Sequence, residues 1–118
     1  MCEPGANPRH MAHSPAMSVL FGLHVRFRTL PDRADELEAI LLEAAETAGA
    51  TQDCLLYVVG RSPEDPTLVW VMETWTDRDA HDASLADPAA RRLIERARPL
   101  LDGPPQTTEL RPSGGKGL

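Results

Sequence analysis

The segment Val69-Trp70-Val71-Met72-Glu73-Thr74-Trp75, followed at once by Asp77-Arg78-Asp79-Ala80-His81-Asp82-Ala83-Ser84-Leu85, constrains the fold more than any other part of the chain. Its first half is rich in β-branched and aromatic residues and predicts a strand, with Glu73 and Trp75 two apart on one face. Leu68, Trp70 and Met72 fall on one face and Val69 and Val71 on the other, a pattern that predicts burial on both sides. Asp77 supplies a carboxylate for a helix's free amide protons, and Asp79 adds negative charge to the first turn. A strand thus runs directly into a capped helix.

The flanking sequence completes an alternation of periods. From Met17 to Phe27 the odd positions Met17, Val19, Phe21, Leu23, Val25 and Phe27 are apolar, which predicts a first strand with one bulky face. Pro31 and Asp32 mark a turn. Ala34, Leu37, Ile40, Leu41, Ala44, Ala45 and Ala48 then recur at helical spacing until Gly49 ends the run. Leu55 to Val59 predicts a second strand, joined to the third through the turn-rich Ser62-Pro63-Glu64-Asp65-Pro66. Asp87-Pro88 predicts a second cap, opening a helix whose Leu93, Ile94, Ala97 and Leu101 share a face, and Gly103-Pro104-Pro105 ends it. A last strand spans Thr107 to Leu110. The order β-α-β-β-α-β is the ferredoxin-like α+β arrangement. Its sheet carries helices on one face only, so a partner subunit is the expected cover for the other.

Residues 1–16, rich in proline and glycine and without hydrophobic periodicity, read as a flexible leader; 17–110 form one domain; 111–118 read as a flexible tail. Met11 and Met17 are alternative starts. With 118 residues and a net charge of −6, basic groups being scattered, the chain offers no footprint for nucleic acid or an anionic membrane. It lacks an apolar run of membrane-spanning length and a secretory core, which predicts a cytoplasmic protein. Cys2 and Cys54 make neither a disulfide framework nor a metal quartet, and Cys54 reads as a buried small hydrophobe. No phosphate loop, nucleophile elbow or metal-ligand cluster is present, so no cofactor and no metal are expected.

Glu-x-Trp followed by Ala-His-x-x-Ser-Leu resembles the antibiotic biosynthesis monooxygenase family. Arg61-Ser62-Pro63-Glu64-Asp65-Pro66 and Arg98-Pro99-Leu100-Leu101 carry the same resemblance. The resemblance implies a homodimer in which two sheets form an α/β barrel. It also implies a ligand pocket between sheet and helices, lined here by Phe21, Leu23, Val25, Phe27, Glu73, Trp75 and the helix from Asp77. Some members oxygenate quinols without a cofactor. The family frequently has a histidine four residues after the alanine, where this chain has Ser84. One branch degrades heme with an asparagine late in the first strand, a tryptophan in the second helical region and a later histidine. Here the one asparagine is Asn7, Ser84 stands at the tryptophan's position, and no histidine follows His81.

His81 and Glu73 are the candidate catalytic residues. His81 shares a helix face with Ser84 and Leu85. Imidazole titrates near neutral pH and can take a phenolic proton, leaving an anion that reacts with oxygen; the bland role is a backbone or surface contact. Glu73, on the helix-facing side of a central strand, either ties that strand to its surroundings or moves a proton. The candidate substrate-binding residues are Tyr57, Trp75, Ser84 and Phe27. Trp75 reads as core or platform, and Tyr57 as a donor to a substrate oxygen or a tip satisfied by backbone. Ser84 can only donate or accept a hydrogen bond. His24 belongs to the dimer side, and His10 and His13 to the leader. The leading reading is a cofactor-free monooxygenase acting on a small quinol- or anthrone-like aromatic and O2. The alternatives are a non-catalytic dimeric module binding a hydrophobic metabolite, or an isomerase using Glu73 and His81.

Overall fold

A computed structural model of the chain describes residues 19–118; the leader, with Cys2, Asn7, His10 and His13, and the first two residues of the expected first strand lie outside them. Four strands, β1 (Phe21–Arg28), β2 (Cys54–Arg61), β3 (Leu68–Trp75) and β4 (Gln106–Leu110), form one antiparallel sheet in the order β2-β3-β1-β4. Three helices, α1 (Ala34–Gly49), α2 (Arg78–Leu85) and α3 (Pro88–Ala97), pack on one side, and a single 3₁₀ turn, Arg98–Leu100, follows α3. This is a ferredoxin-like α+β fold.

β1 begins at Phe21, not Met17, because its ladder ends there: Phe21 pairs with Trp75, the last residue of β3, and leaves Val19 beyond the sheet. β2 is longer than its apolar run, since pairing continues to Arg61 opposite Val69 at the hairpin. A bulge between Cys54 and Leu56 pushes Leu55 outward and sets Cys54 opposite Trp75. The hairpin is held by its own side chains. Ser62 Oγ accepts from the amides of Glu64 and Asp65, and Asp65 accepts from both the amide and the hydroxyl of Thr67. Arg28 closes the network by donating to Asp65 at 3.0 Å. The two Thr67 hydrogen bonds, with Arg28 beside them, hold the Asp65 carboxyl down to about 2.

The helix-facing side of the sheet carries Val25, Val69 and Val71, which meet Leu37, Ile40 and Leu41 of α1, Leu93 of α3 and Leu100 in one core. Asp32, at φ 65°, turns the chain into α1; aspartate tolerates this left-handed position better than most residues. Arg96 of α3 grips the Glu43 carboxylate of α1 with both terminal nitrogens, fixing the two helices side by side.

Among the described residues no helix covers the opposite face. His24 stacks on Trp70 with ring centroids 4.6 Å apart, and the Arg26 guanidinium lies 5.7 Å from the same ring. Val58 and Met72 are each 47% exposed beside them. The expectation that β3 is buried on both faces therefore fails for Met72 in the single chain: alternation places it outward, and none of the described elements covers it. At the β1–β4 edge Gly22 leaves room for Leu110 and Pro112, whose side chains would stand 3.3 and 3.1 Å from any added Cβ. Residues 111–118, expected as a tail, continue from β4 without helix or strand.

Candidate active site

β3 and α2 are joined by a single turn, so the end of the strand and the first turn of the helix face one another. Asp77 sets the helix going: its carboxylate accepts from the Ala80 amide at 2.7 Å, a cap worth about 1 kcal/mol. His81 stands one residue beyond that bond, on the inward side of α2, and is the one buried residue of this helix, flanked by half-buried Ala80 and Ser84. Its ring rests 5.0 Å from that of Phe21 and meets the edge of Trp75 at 5.7 Å. The indole Nε1 of Trp75 donates to Glu73 Oε1 at 2.7 Å, a bond that the shared strand face makes possible. The same Oε1 lies 3.7 Å from His81 Nε2, within ion-pair reach but longer than a hydrogen bond. His81 Nδ1 lies 3.1 Å from Asp82 Oδ1 on the outer side.

Burial governs the acids here. It pushes the Glu73 carboxyl above its ordinary range, while the Trp75 bond and His81 pull the other way. Tyr57 sits directly across from Glu73 on β2. Its phenol is raised first by burial and then by the nearby Glu73, so it stays a protonated donor at any physiological pH. Burial likewise raises the Cys54 thiol.

Between the sheet and the helices lies a cavity of about 640 Å³, large enough for a small aromatic molecule. Phe27, Tyr57, Glu73, Trp75, His81 and Ser84 all line it. The cavity has two characters. Asp53, Tyr57, Glu73, His81 and Ser84 gather at the Trp75 end, whereas Phe27, Leu93 and Leu101 make the far end mainly apolar, with Arg98 also in the lining. Phe27 pairs with Val69, four residues before Glu73, which separates the two ends by roughly 13 Å along the sheet.

Phe21, Leu23 and Val25, expected in the wall, are not in it. Val25 is taken up by the core, Leu23 packs against it, and Phe21 packs behind His81 and Trp75. Their place is filled by Ile40, Leu41 and Ala44 of α1 and by Ile94 and Ala97 of α3. The amphipathic stripes of those helices mark them as inward-facing, which is the signal that identifies them. Ser84 reaches the cavity but donates its hydroxyl proton to the His81 carbonyl oxygen at 2.5 Å, so only its oxygen lone pairs remain for a ligand. His24 is on the open sheet face, away from the cavity.

An antiparallel sheet with a helix-roofed, mainly apolar cavity, polar at one end, describes a small α+β domain built around a pocket. The family model of antibiotic biosynthesis monooxygenases matches residues 20–96, and the chain belongs to this family. A solved structure from Chloroflexus aurantiacus that carries the family name is 37% identical, with a TM-score of 0.71 over 81% of this chain and 95% of that one. Another bearing the family name, from Caulobacter crescentus, is 21% identical with a TM-score of 0.76 over 82% of this chain and 92% of its own. SnoaB from Streptomyces nogalater, a cofactor-independent oxygenase, shares the fold at a TM-score of 0.71 with 16% identity, over 82% and 96% of the two chains. Among curated proteins none matches this sequence. No helix of the described residues is long and apolar enough to cross a membrane.

Proposed function

We propose that this protein is a cytoplasmic, homodimeric monooxygenase that needs no cofactor and acts on a small aromatic of quinol or anthrone type. The observation that carries the reading is the joining of one basic side chain, His81, and one raised carboxyl, Glu73, at the polar end of a mainly apolar cavity. A phenolic oxygen bound at that end gives its proton to His81. The resulting anion, held in a dry environment, is electron-rich enough to react with O2 directly. The protein contributes orientation, desolvation and one base; the substrate supplies the electrons and O2 accepts them, one oxygen atom entering the substrate and the other leaving as water. Tyr57 donates to a substrate oxygen, Trp75 and Phe27 bracket the ring system, and Ser84 accepts a further hydrogen bond. The kinship with a family that includes a cofactor-independent oxygenase supports the same reading. Oxygen consumption by the purified protein with a hydroquinone or an anthrone tests it: consumption that requires the protein and saturates with substrate supports a monooxygenase. Tight binding of either compound without consumption leaves a binding module instead.

The homodimer follows from the open sheet face. Trp70, Met72 and Val58 form an apolar strip bordered by His24 and Arg26, which a second copy's sheet covers. Sedimentation equilibrium at micromolar concentration should return twice the chain mass. Trp70→Glu, which puts a charge at the centre of the strip, should return the chain mass with secondary structure intact. A parent chain that sediments as a monomer overturns the dimer.

A further inference from the structure

His81 stands between two carboxylates of opposite character. On the cavity side is Glu73, with a side chain 11% exposed; on the outer side is Asp82, 58% exposed. The ring itself is fixed between Phe21 and Trp75. Of the two contacts only the outer one, Nδ1 to Asp82 at 3.1 Å, is at hydrogen-bond distance. A neutral imidazole has one N–H, and an ionised carboxylate can only accept. The proton is therefore drawn to Nδ1, and Nε2 is left with its lone pair facing the cavity.

Resting on the monooxygenase reading above, the geometry points to Asp82 as the positioning residue of the site: it selects the Nδ1–H tautomer of His81 and forms the outlet by which a substrate proton reaches water. The ligand's O–H bond breaks, an N–H bond forms at Nε2, and the electron pair stays on the ligand oxygen. The imidazolium so formed lies between two carboxylates, as an activated histidine backed by an orienting acid does elsewhere. Nδ1 then passes its proton to Asp82 and on to solvent. The starting tautomer returns when Nδ1 first recovers a proton through Asp82 and the imidazolium then gives its Nε2 proton to the oxygenated product anion. No proton needs to cross the apolar end of the cavity. Among the described residues, the other ionisable groups at this end of the cavity include Tyr57, across the sheet from Glu73, Cys54, opposite Trp75, Asp53 in the same lining, and Arg78. Arg78 lies over Phe21 and is paired with Glu109.

Nitrogen NMR of the full chain, with ¹⁵N-labelled histidine, reads the tautomer without any turnover. In the parent protein at pH 8 the His81 signals should be those of Nδ1–H. Asp82→Asn should lower the ratio of Nδ1–H to Nε2–H about tenfold or more, Asp82→Glu should restore it in part, and Asp79→Asn on the same helix should leave it unchanged. An Nε2–H signal in the parent, or the same ratio in Asp82→Asn, overturns the proposal. If a hydroquinone is consumed, Asp82→Asn should also lower kcat about tenfold with KM unchanged and raise the solvent deuterium isotope effect; an unchanged kcat and isotope effect likewise overturns it. Absence of consumption by the parent defeats the monooxygenase reading alone, because the tautomer measurement stands without it.

Discussion

His81→Gln should lower the rate of quinol-dependent oxygen uptake by about 10² or more. Glutamine keeps a polar side chain of similar reach, and His81 is packed by Phe21 and Trp75 rather than held by the backbone, so the exchange changes chemistry more than architecture. The remaining rate measures what orientation and desolvation achieve without a base. Oxygen-electrode traces for both proteins make the comparison. Full rate in His81→Gln assigns the imidazole a packing role, and the base must then be sought elsewhere in the cavity.

Trp75→Ala should be the most damaging single substitution for stability, costing about 3–5 kcal/mol. The indole is 2% exposed and packs with Phe21 and Ala48 in a smaller buried cluster beside the main core, so its removal leaves a void at the junction of β3, α1 and α2. It also takes away the Nε1–H that satisfies Glu73, leaving a buried carboxyl without its hydrogen bond. Trp75→Phe separates the two effects, since the ring is largely kept and the donor is lost. It should cost about 1–3 kcal/mol, the penalty of an unsatisfied buried polar group, and less in rate than His81→Gln. Urea unfolding of the three proteins checks the order. Equal midpoints for parent and Trp75→Ala would mean that the cluster does not carry the stability its burial implies.

The elements of this fold are legible because each one keeps a single period. Leu37, Ile40, Leu41 and Ala48 trace the buried stripe of α1, and Asp77 and Asp87 are the caps the chain provides for α2 and α3. What is not legible is how far a face extends before another element occupies it. Phe21, Leu23, Val25 and Phe27 have identical periodicity, yet only Phe27 borders the cavity. Packing by α1, α3 and His81 uses up the other three, and these are contacts between residues far apart in the chain. The bulge at Leu55 is hidden for a similar reason, since Cys54-Leu55-Leu56 reads as ordinary strand and only the partner's register reveals the extra residue. Asp82 escapes notice as one more acid on a polar helix until its distance to Nδ1 is known. Four of the candidate site residues, by contrast, come from segments whose orientation is set locally. Glu73 and Trp75 share a strand face, and His81 and Ser84 share a helix face.

Ile40, Leu41 and Leu93 belong both to the main core and to the cavity wall. An apolar ligand in that space is therefore an extension of the protein's own interior, and occupancy and folding are thermodynamically linked. A molecule that binds only the folded chain, supplied at about a hundred times its dissociation constant, adds about 2.7 kcal/mol to the unfolding free energy. For a domain of this size that corresponds to a rise in Tm of roughly ten degrees. Heating the protein with a library of quinols, anthrones and related aromatics should thus rank them by affinity with no assay of turnover. Compounds that raise Tm in the parent but not in Leu93→Phe, where an added ring intrudes on the cavity, would be those that complete the core from within.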